Sequence, residues 1–280
     1  MKTLFLLCII FLSNLEVFAQ TQFAIDQKDV QFENKGIHLS GVLVFPKTDK
    51  KVPLLILIPN SWSARSIHVA EFYAKNGIAC FTYDSRDMNK KMGFDSYKDS
   101  IVEIYSQDLQ LAIKKMKEYK NFNKIGVLGI SMGGWTIERA IINEDVDFCV
   151  MVSTPTMAIK KCFEWQLGSF IKNNADTNRI NSIKSGLKDV MNSHQFEFIP
   201  FDYVKRIMIP SIWIFGRNDI NISVEQTVSD LETIKNANKI TIKTYEGLDH
   251  SKVFDSDMVQ NDMINWIKNS VSKLGSMWSE

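Results

Sequence analysis

Ile125-Gly126-Val127-Leu128-Gly129-Ile130-Ser131-Met132-Gly133 is the stretch on which the fold turns. Lys124 to Ile130 is apolar and β-rich. Met132 to Asn143 reads as a helix, with Ile137, Ala140 and Ile141 at helical spacing. The G-x-S-x-G sequence between them is weak alone, but here it joins a buried strand to a helix. Such a corner reverses the chain sharply and leaves Ser131 proud at the strand's C-terminal end. Both flanking glycines, Gly129 and Gly133, are expected to be needed, because a side chain at either would meet the neighbouring strand or helix.

Outward from this corner, short apolar runs alternate with helical patterns. Asp29 to Phe45 reads as two strands joined near Asn34-Lys35-Gly36, and Val52 to Ile58 as a strand ended by Pro59-Asn60. Ser66 to Lys75 is a helix stopped by Asn76-Gly77, a pair suited to a left-handed cap. Ile78 to Tyr83 is a strand, and Tyr105 to Tyr119 an amphipathic helix with Leu109, Ala112, Ile113 and Met116 on one face. Strands follow at Phe148–Val152, Ile212–Phe215 and Lys239–Tyr245, with helices over Val224–Ala237 and Met258–Leu274. Strands apolar on both faces need cover on both faces. The expected fold class is therefore α/β: a mostly parallel sheet of about eight strands between helices, opened by an antiparallel hairpin. Residues 155–205 break the rhythm with Phe, Trp and Met among polar helical stretches, and read as a small helical cap inserted before the seventh strand.

A serine hydroxyl is a poor nucleophile at neutral pH and needs a base and a group that orients the base. The chain has four histidines: His38 in the hairpin, His68 early in a helix, His194 in the cap, and His250 just past the last strand. A loop leaving that strand reaches the corner, since parallel strands all end on the same side. Phe215-Gly216-Arg217-Asn218-Asp219 places Asp219 after the preceding strand. The candidate catalytic set is Ser131, Asp219 and His250, with Asp249 and Asp255 as competitors for the acid. Trp62, Trp135, Met157, Phe163 and Trp165 are candidates to line an apolar pocket. Asp84, Arg86 and Asp87 read as a structural salt-bridge turn.

Ser131, Asp219 and His250 in this order among these strands resemble the α/β-hydrolase superfamily over nearly the whole chain, from about Val30 to Leu274. Leu39-Ser40-Gly41-Val42-Leu43 and Tyr83-Asp84-Ser85-Arg86 look like the bacterial esterases and the dienelactone-hydrolase or prolyl-oligopeptidase-like catalytic domains. The resemblance implies an acyl-enzyme route on a carboxylic ester. Two alternatives stand beside it: a peptidase on short peptides, and a weakened hydrolase-fold binding protein. The second arises from one departure. Relatives commonly carry His-Gly after the third strand, where this chain has Pro59-Asn60-Ser61-Trp62. The implied oxyanion donors are the backbone N–H groups of Met132 and Ser61.

Met1-Lys2 followed by the apolar Leu4–Leu12 and by Val17 and Ala19 reads as a signal peptide over residues 1–19, cleaved after Ala19, with residues 20–280 the hydrolase domain. Periplasmic or secreted placement follows, without stable membrane insertion after cleavage. With 33 Lys and Arg against 32 Asp and Glu and no basic stripe, no nucleic-acid partner is expected. The expected partner is a small ester or a short peptide. Of the four cysteines, Cys8 lies in the signal and the mature part keeps Cys80, Cys149 and Cys162, an odd number that rules out a fully paired framework. Cys80 and Cys149 sit in apolar runs and read as small hydrophobes. No cofactor is expected, and no Cys/His spacing suggests a metal site.

Overall fold

A computed structural model describes residues 22–59, 66–86, 98–119, 121–237 and 239–276. The expected signal peptide and residues Asn60, Ser61, Trp62 and Asp87 lie outside these described residues.

Eight strands form one sheet: β1 (Ile25–Asn34), β2 (Ile37–Pro46), β3 (Val52–Leu57), β4 (Ala79–Tyr83), β5 (Phe122–Ile130), β6 (Phe148–Val152), β7 (Ser211–Gly216) and β8 (Ile240–Tyr245). Their spatial order is β1-β2-β4-β3-β5-β6-β7-β8. The β1–β2 and β2–β4 pairs are antiparallel, and all others are parallel. The sheet is thus mixed at one edge, as the hairpin in the sequence requires. Every residue of β4, β6 and β7 is buried. This is the physical content of their unbroken apolar runs, since each has a strand on both sides and helices on both faces. β8 closes the far edge and is only half-buried between Ile240 and Tyr245.

Among the described residues the helices are α1 (Ile67–Lys75), α2 (Asp99–Lys117), α3 (Met132–Ala140), α4 (Ile159–Lys172), α5 (Thr177–Met191), α6 (Pro200–Val204), α7 (Val224–Ile234), α8 (Lys252–Asp255) and α9 (Asp257–Ser276). One face of the sheet packs on Leu109, Ile113 and Met116 of α2, Ile137 of α3 and Leu231 of α7. The other packs on Ala70 and Tyr73 of α1 and on Met263, Ile264 and Ile267 of α9. A third cluster ties the cap to the corner. Ile159 and Phe163 of α4, Val190 of α5, and Phe196 and Phe198 meet Met132 and Trp135 of α3 and Val102 of α2.

Several boundaries differ from expectation, and two of the differences bear on the site. α2 begins at Asp99, six residues before Tyr105. Its first turns, Asp99-Ser100-Ile101-Val102, are polar and β-branched and so hide the helical period. Asp99 fixes that start, because its side chain accepts the Glu197 and Phe198 N–H groups at 2.9 and 3.0 Å and so clamps the end of the cap. The short α8 after His250 carries no sequence period at four residues.

Arg86 pairs with a carboxylate on α2. Its Nε donates to Asp108 Oδ2 on α2 at 2.8 Å, and its Nη2 bonds the other carboxylate oxygen. Asn34 also donates to Asp108, at 2.6 Å, and Ser40 donates to Asp84 at 3.1 Å. The turn after β4 is a structural ion pair, as expected, but its partner comes from a helix remote in sequence. Cys80, Cys149 and Cys162 are free and buried. Among the described residues, no helix is long and apolar enough to cross a membrane.

Candidate active site

The sheet's direction reverses at β3: β4 lies on one side of it and β5 on the other. A crevice opens at the C-terminal ends of strands at such a switch point. The end of β3 runs beside the corner, where the Ile58 N–H donates to Leu128 O at 3.0 Å.

Ser131 occupies the corner with φ 53° and ψ −119°, a conformation strained for a residue with a side chain. Neighbouring elements hold it there. The Ser131 N–H donates to Val152 O of β6 at 2.8 Å, and the Gly134 N–H returns to Ser131 O at 2.9 Å. Close approach is what the glycines provide, but not at both expected positions. A Cβ on Gly129 would stand 2.6 Å from the Gly133 main chain. On Gly133 the nearest atom would be Ile58 Cγ2 at 4.0 Å, so that position has room. The tight position is the next residue, Gly134, where a Cβ would collide with the Thr154 side chain. The sequence motif therefore marks one of the two critical glycines and misses the other.

His250 stands in the loop after β8, and its Nδ1 lies 2.7 Å from Asp219 Oδ2. The Asp219 side chain is fully buried and that of His250 is 17% exposed. The other Asp219 oxygen accepts the Asn221 and Ile222 N–H groups at 2.7 and 3.2 Å. Asp219 is not needed to start α7, because the Ser223 hydroxyl caps that helix by accepting the Gln226 N–H at 3.3 Å. Its carboxylate is instead aimed by the turn after β7 at the imidazole. With Nδ1 engaged by a carboxylate, Nε2 is the ring nitrogen left to accept a proton.

Asp249, the adjacent competitor, points elsewhere. Its carboxylate accepts the Lys252 and Ser251 N–H groups at 2.9 and 3.1 Å and pairs with the Lys252 ammonium. The Lys252 backbone bond is the main reason its carboxyl is held below the usual carboxylate range.

The His250 loop is stitched to the sheet. Arg217 N–H donates to Tyr245 O and Asn218 N–H to Leu248 O, each at 2.9 Å. A Cβ on Gly216 would collide with the Leu248 carbonyl. Ser153, at the end of β6, donates its hydroxyl to His250 O at 3.2 Å. It does so from a left-handed conformation, φ 48°. No local sequence signal distinguishes Ser153 from any other residue ending a strand.

Ser131 and His250 line one cavity of about 500 Å³, beneath the cap. Met132, Trp135 and Phe163 also face it. The Trp135 indole is fixed by donation to Pro155 O at 2.9 Å. Met157 and Trp165 do not line this cavity. Met157 packs against the cap cluster, and Trp165 lines a separate hollow beside Arg217 and Asp219. Aromatic content announced a covered site but not which face of α4 would look into it. Cavity-facing residues that the sequence did not single out are Gln166, Arg179 and Asn221. Among the described residues, no group of three His, Cys, Asp or Glu side chains could hold a metal ion.

The eight-stranded, mostly parallel sheet with helices on both faces is that of an α/β-hydrolase fold. Within that class, the chain is similar to Esterase EstD of Thermotoga maritima, with 21% identity over 249 residues. The match takes in 78% of this chain, which spans 60% of the length of that curated relative. Among solved structures it is similar to an esterase of Pyrococcus furiosus, with a TM-score of 0.66 and 19% identity over 89% of this chain and 91% of that one. It is also similar to the acylaminoacyl peptidase of Pyrococcus horikoshii, with a TM-score of 0.60 and 14% identity over 94% of this chain and 41% of that one. No family model matches the chain.

Proposed function

We propose that this protein is a serine hydrolase of carboxylic esters, with Ser131 as nucleophile, His250 as base and Asp219 as the group that orients the base. The observation that carries the proposal is the 2.7 Å His250–Asp219 contact at a cavity whose wall also holds the strained Ser131 corner. Similarity to Esterase EstD and to the Pyrococcus furiosus esterase supports an ester as substrate.

The chemistry follows from the atoms. His250 Nε2 takes the proton from Ser131 Oγ as that oxygen attacks the ester carbonyl carbon. Asp219 holds the imidazole in the tautomer that presents Nε2 and stabilises the imidazolium that forms. Negative charge then develops on the carbonyl oxygen. The Met132 N–H is a donor for it, because the first N–H groups of α3 have no carbonyl within their own helix. The Ser61 N–H is the second proposed donor, three residues beyond Ile58. His250 returns its proton to the leaving alcohol, and an acyl-Ser131 ester remains. Water, giving a proton to His250, attacks that ester; His250 passes the proton to Ser131 Oγ as the acyl–Oγ bond breaks, and the acid leaves. We also propose export, with the mature chain beginning near Gln20. An N-terminal mass on the native protein tests it, and an intact Met1 on soluble protein overturns it.

A peptidase on short peptides is the second reading, favoured by the likeness to an acylaminoacyl peptidase. Steady-state rates on p-nitrophenyl esters of graded chain length, beside aminoacyl anilides, separate the two. Ester turnover abolished by Ser131→Ala supports the proposal. Anilide turnover alone favours the peptidase. No turnover of either class by folded protein leaves a hydrolase-fold binding protein.

A further inference from the structure

The cavity that holds Ser131 and His250 has walls of different chemistry. Met132, Trp135 and Phe163 make an apolar wall next to the corner. The same lining also carries Arg179 of α5 and Asn221 of the turn after β7. Arg179 is exposed, yet two contacts hold its guanidinium in place. The guanidinium carbon lies 4.3 Å from the centroid of the Phe170 ring, and Nη2 donates to Asn221 Oδ1 at 2.5 Å. No carboxylate among the described residues pairs with it. A guanidinium has five N–H donors in a planar fork that matches a carboxylate. Among the described residues one donor is used, and the cation is fixed on a cavity wall with no described counter-charge. Asp255 of α8 faces the same cavity but is exposed, makes no ion pair with Arg179 and is gripped by no described residue. The positioned charge in this cavity is therefore the positive one.

We propose that Arg179 binds a free carboxylate at the far end of the substrate, so that the preferred esters are half-esters of dicarboxylic acids. The apolar wall takes the connecting chain, Ser131 attacks the esterified carboxyl, and the Arg179 fork takes the free one. The proposal rests on the serine-hydrolase reading and names its substrate class. Holding the side chain over Phe170 before substrate arrives reduces the rotamer entropy lost on binding.

The test compares two p-nitrophenyl esters of equal carbon number, the monoester of adipic acid and the hexanoate, on the full chain. The wild-type protein should prefer the adipate monoester in kcat/KM by about tenfold or more, as for a charge-assisted bidentate contact. Arg179→Met should cut that preference by about tenfold, chiefly through KM of the charged ester, and Arg179→Lys should keep part of it. Lys184→Met removes an exposed charge from the same helix without touching the cavity, and should leave the preference where it was. Equal losses on both esters in Arg179→Met would overturn the proposal. They would mean that Arg179 acts only through Asn221 and the Asp219 turn. A wild-type preference for the hexanoate would overturn it as well. Failure of the underlying reading looks different: the wild-type protein hydrolyses neither ester, or Ser131→Ala hydrolyses both.

Discussion

Ser131, Ser153 and Gly216 end β5, β6 and β7, and each is tied by main-chain bonds or close approach to the next strand or to the His250 loop. Gln166 and Arg179 face the same cavity from α4 and α5, which reach the corner through the side-chain cluster around Met132 and Trp135. At the sheet edge, position is set by backbone geometry and tolerates almost no added atom. In the cap, position is set by apolar packing, and the charged residues sit at its exposed surface. A substitution at the edge is therefore expected to act on chemistry or on folding. One in the cap is expected to act on which substrate is taken.

The largest expected effect tests the edge directly. Ser131→Ala and His250→Ala should each lower kcat by about 10⁶-fold with the fold intact, since such residues act as a unit. Residual activity within tenfold of wild type in either variant would break the assignment of chemistry to the edge. Next comes the choice of acid. Asp219→Asn should cost about 10⁴-fold in kcat by favouring the wrong imidazole tautomer. Asp249→Asn should change turnover by less than about threefold, because that carboxylate caps the α8 turn and lies on the surface. A larger loss in Asp249→Asn than in Asp219→Asn would reverse the two roles.

A smaller effect measures how tightly the edge is built. Gly216→Ala forces a methyl against the Leu248 carbonyl and should destabilise the protein by about 1–3 kcal/mol in urea unfolding. Because the displaced loop carries His250, kcat should also fall. Unchanged stability would show that the His250 loop floats free of β7.

The smallest effect lies on the seam between the two regions. Glu138 of α3 is fully buried, and neither carboxyl oxygen has a hydrogen-bond partner. Burial pushes its carboxyl well above the usual carboxylate range. Burial likewise raises the thiols of Cys149 on β6 and Cys162 on α4, with a further contribution from Glu138, and brings Cys162 to about 12. The folded state thus holds the Glu138 proton after the unfolded chain has lost it. Stability from this group is full below the ordinary carboxylate range and falls as pH rises towards the raised value. Glu138→Met should raise stability at neutral pH by about 1 kcal/mol and flatten that fall, read by thermal melts across a pH series. Destabilisation at neutral pH would show that the carboxylate has a partner and that the seam is polar by design.

The two regions were also unequally legible in the sequence. Apolar runs such as Phe148–Val152 and Ile78–Tyr83 name buried strands because burial on both faces leaves no other composition. The ends of parallel strands share one edge, so Asp219 and His250 could be placed near Ser131 from order alone. What escaped depends on contacts between residues distant in sequence. Gly134 matters because of Thr154, Arg86 because of Asp108, and Ser153 because of the His250 carbonyl. The cap was legible as an insertion and little more. Its helices are polar on most sides, so the sequence does not say that Arg179 faces the cavity and Trp165 a neighbouring hollow.

Labelling with a fluorophosphonate probe tests the central claim most directly, because the reagent loses fluoride and forms a stable bond only to an activated serine. Peptide mapping by mass spectrometry should find the phosphonyl group on Ser131 in the wild-type protein. Folded Ser131→Ala should carry none, and His250→Ala should label far more slowly. A wild-type protein that stays unlabelled at Ser131, or that labels at another serine, would contradict the assignment of Ser131, His250 and Asp219 as a working catalytic set.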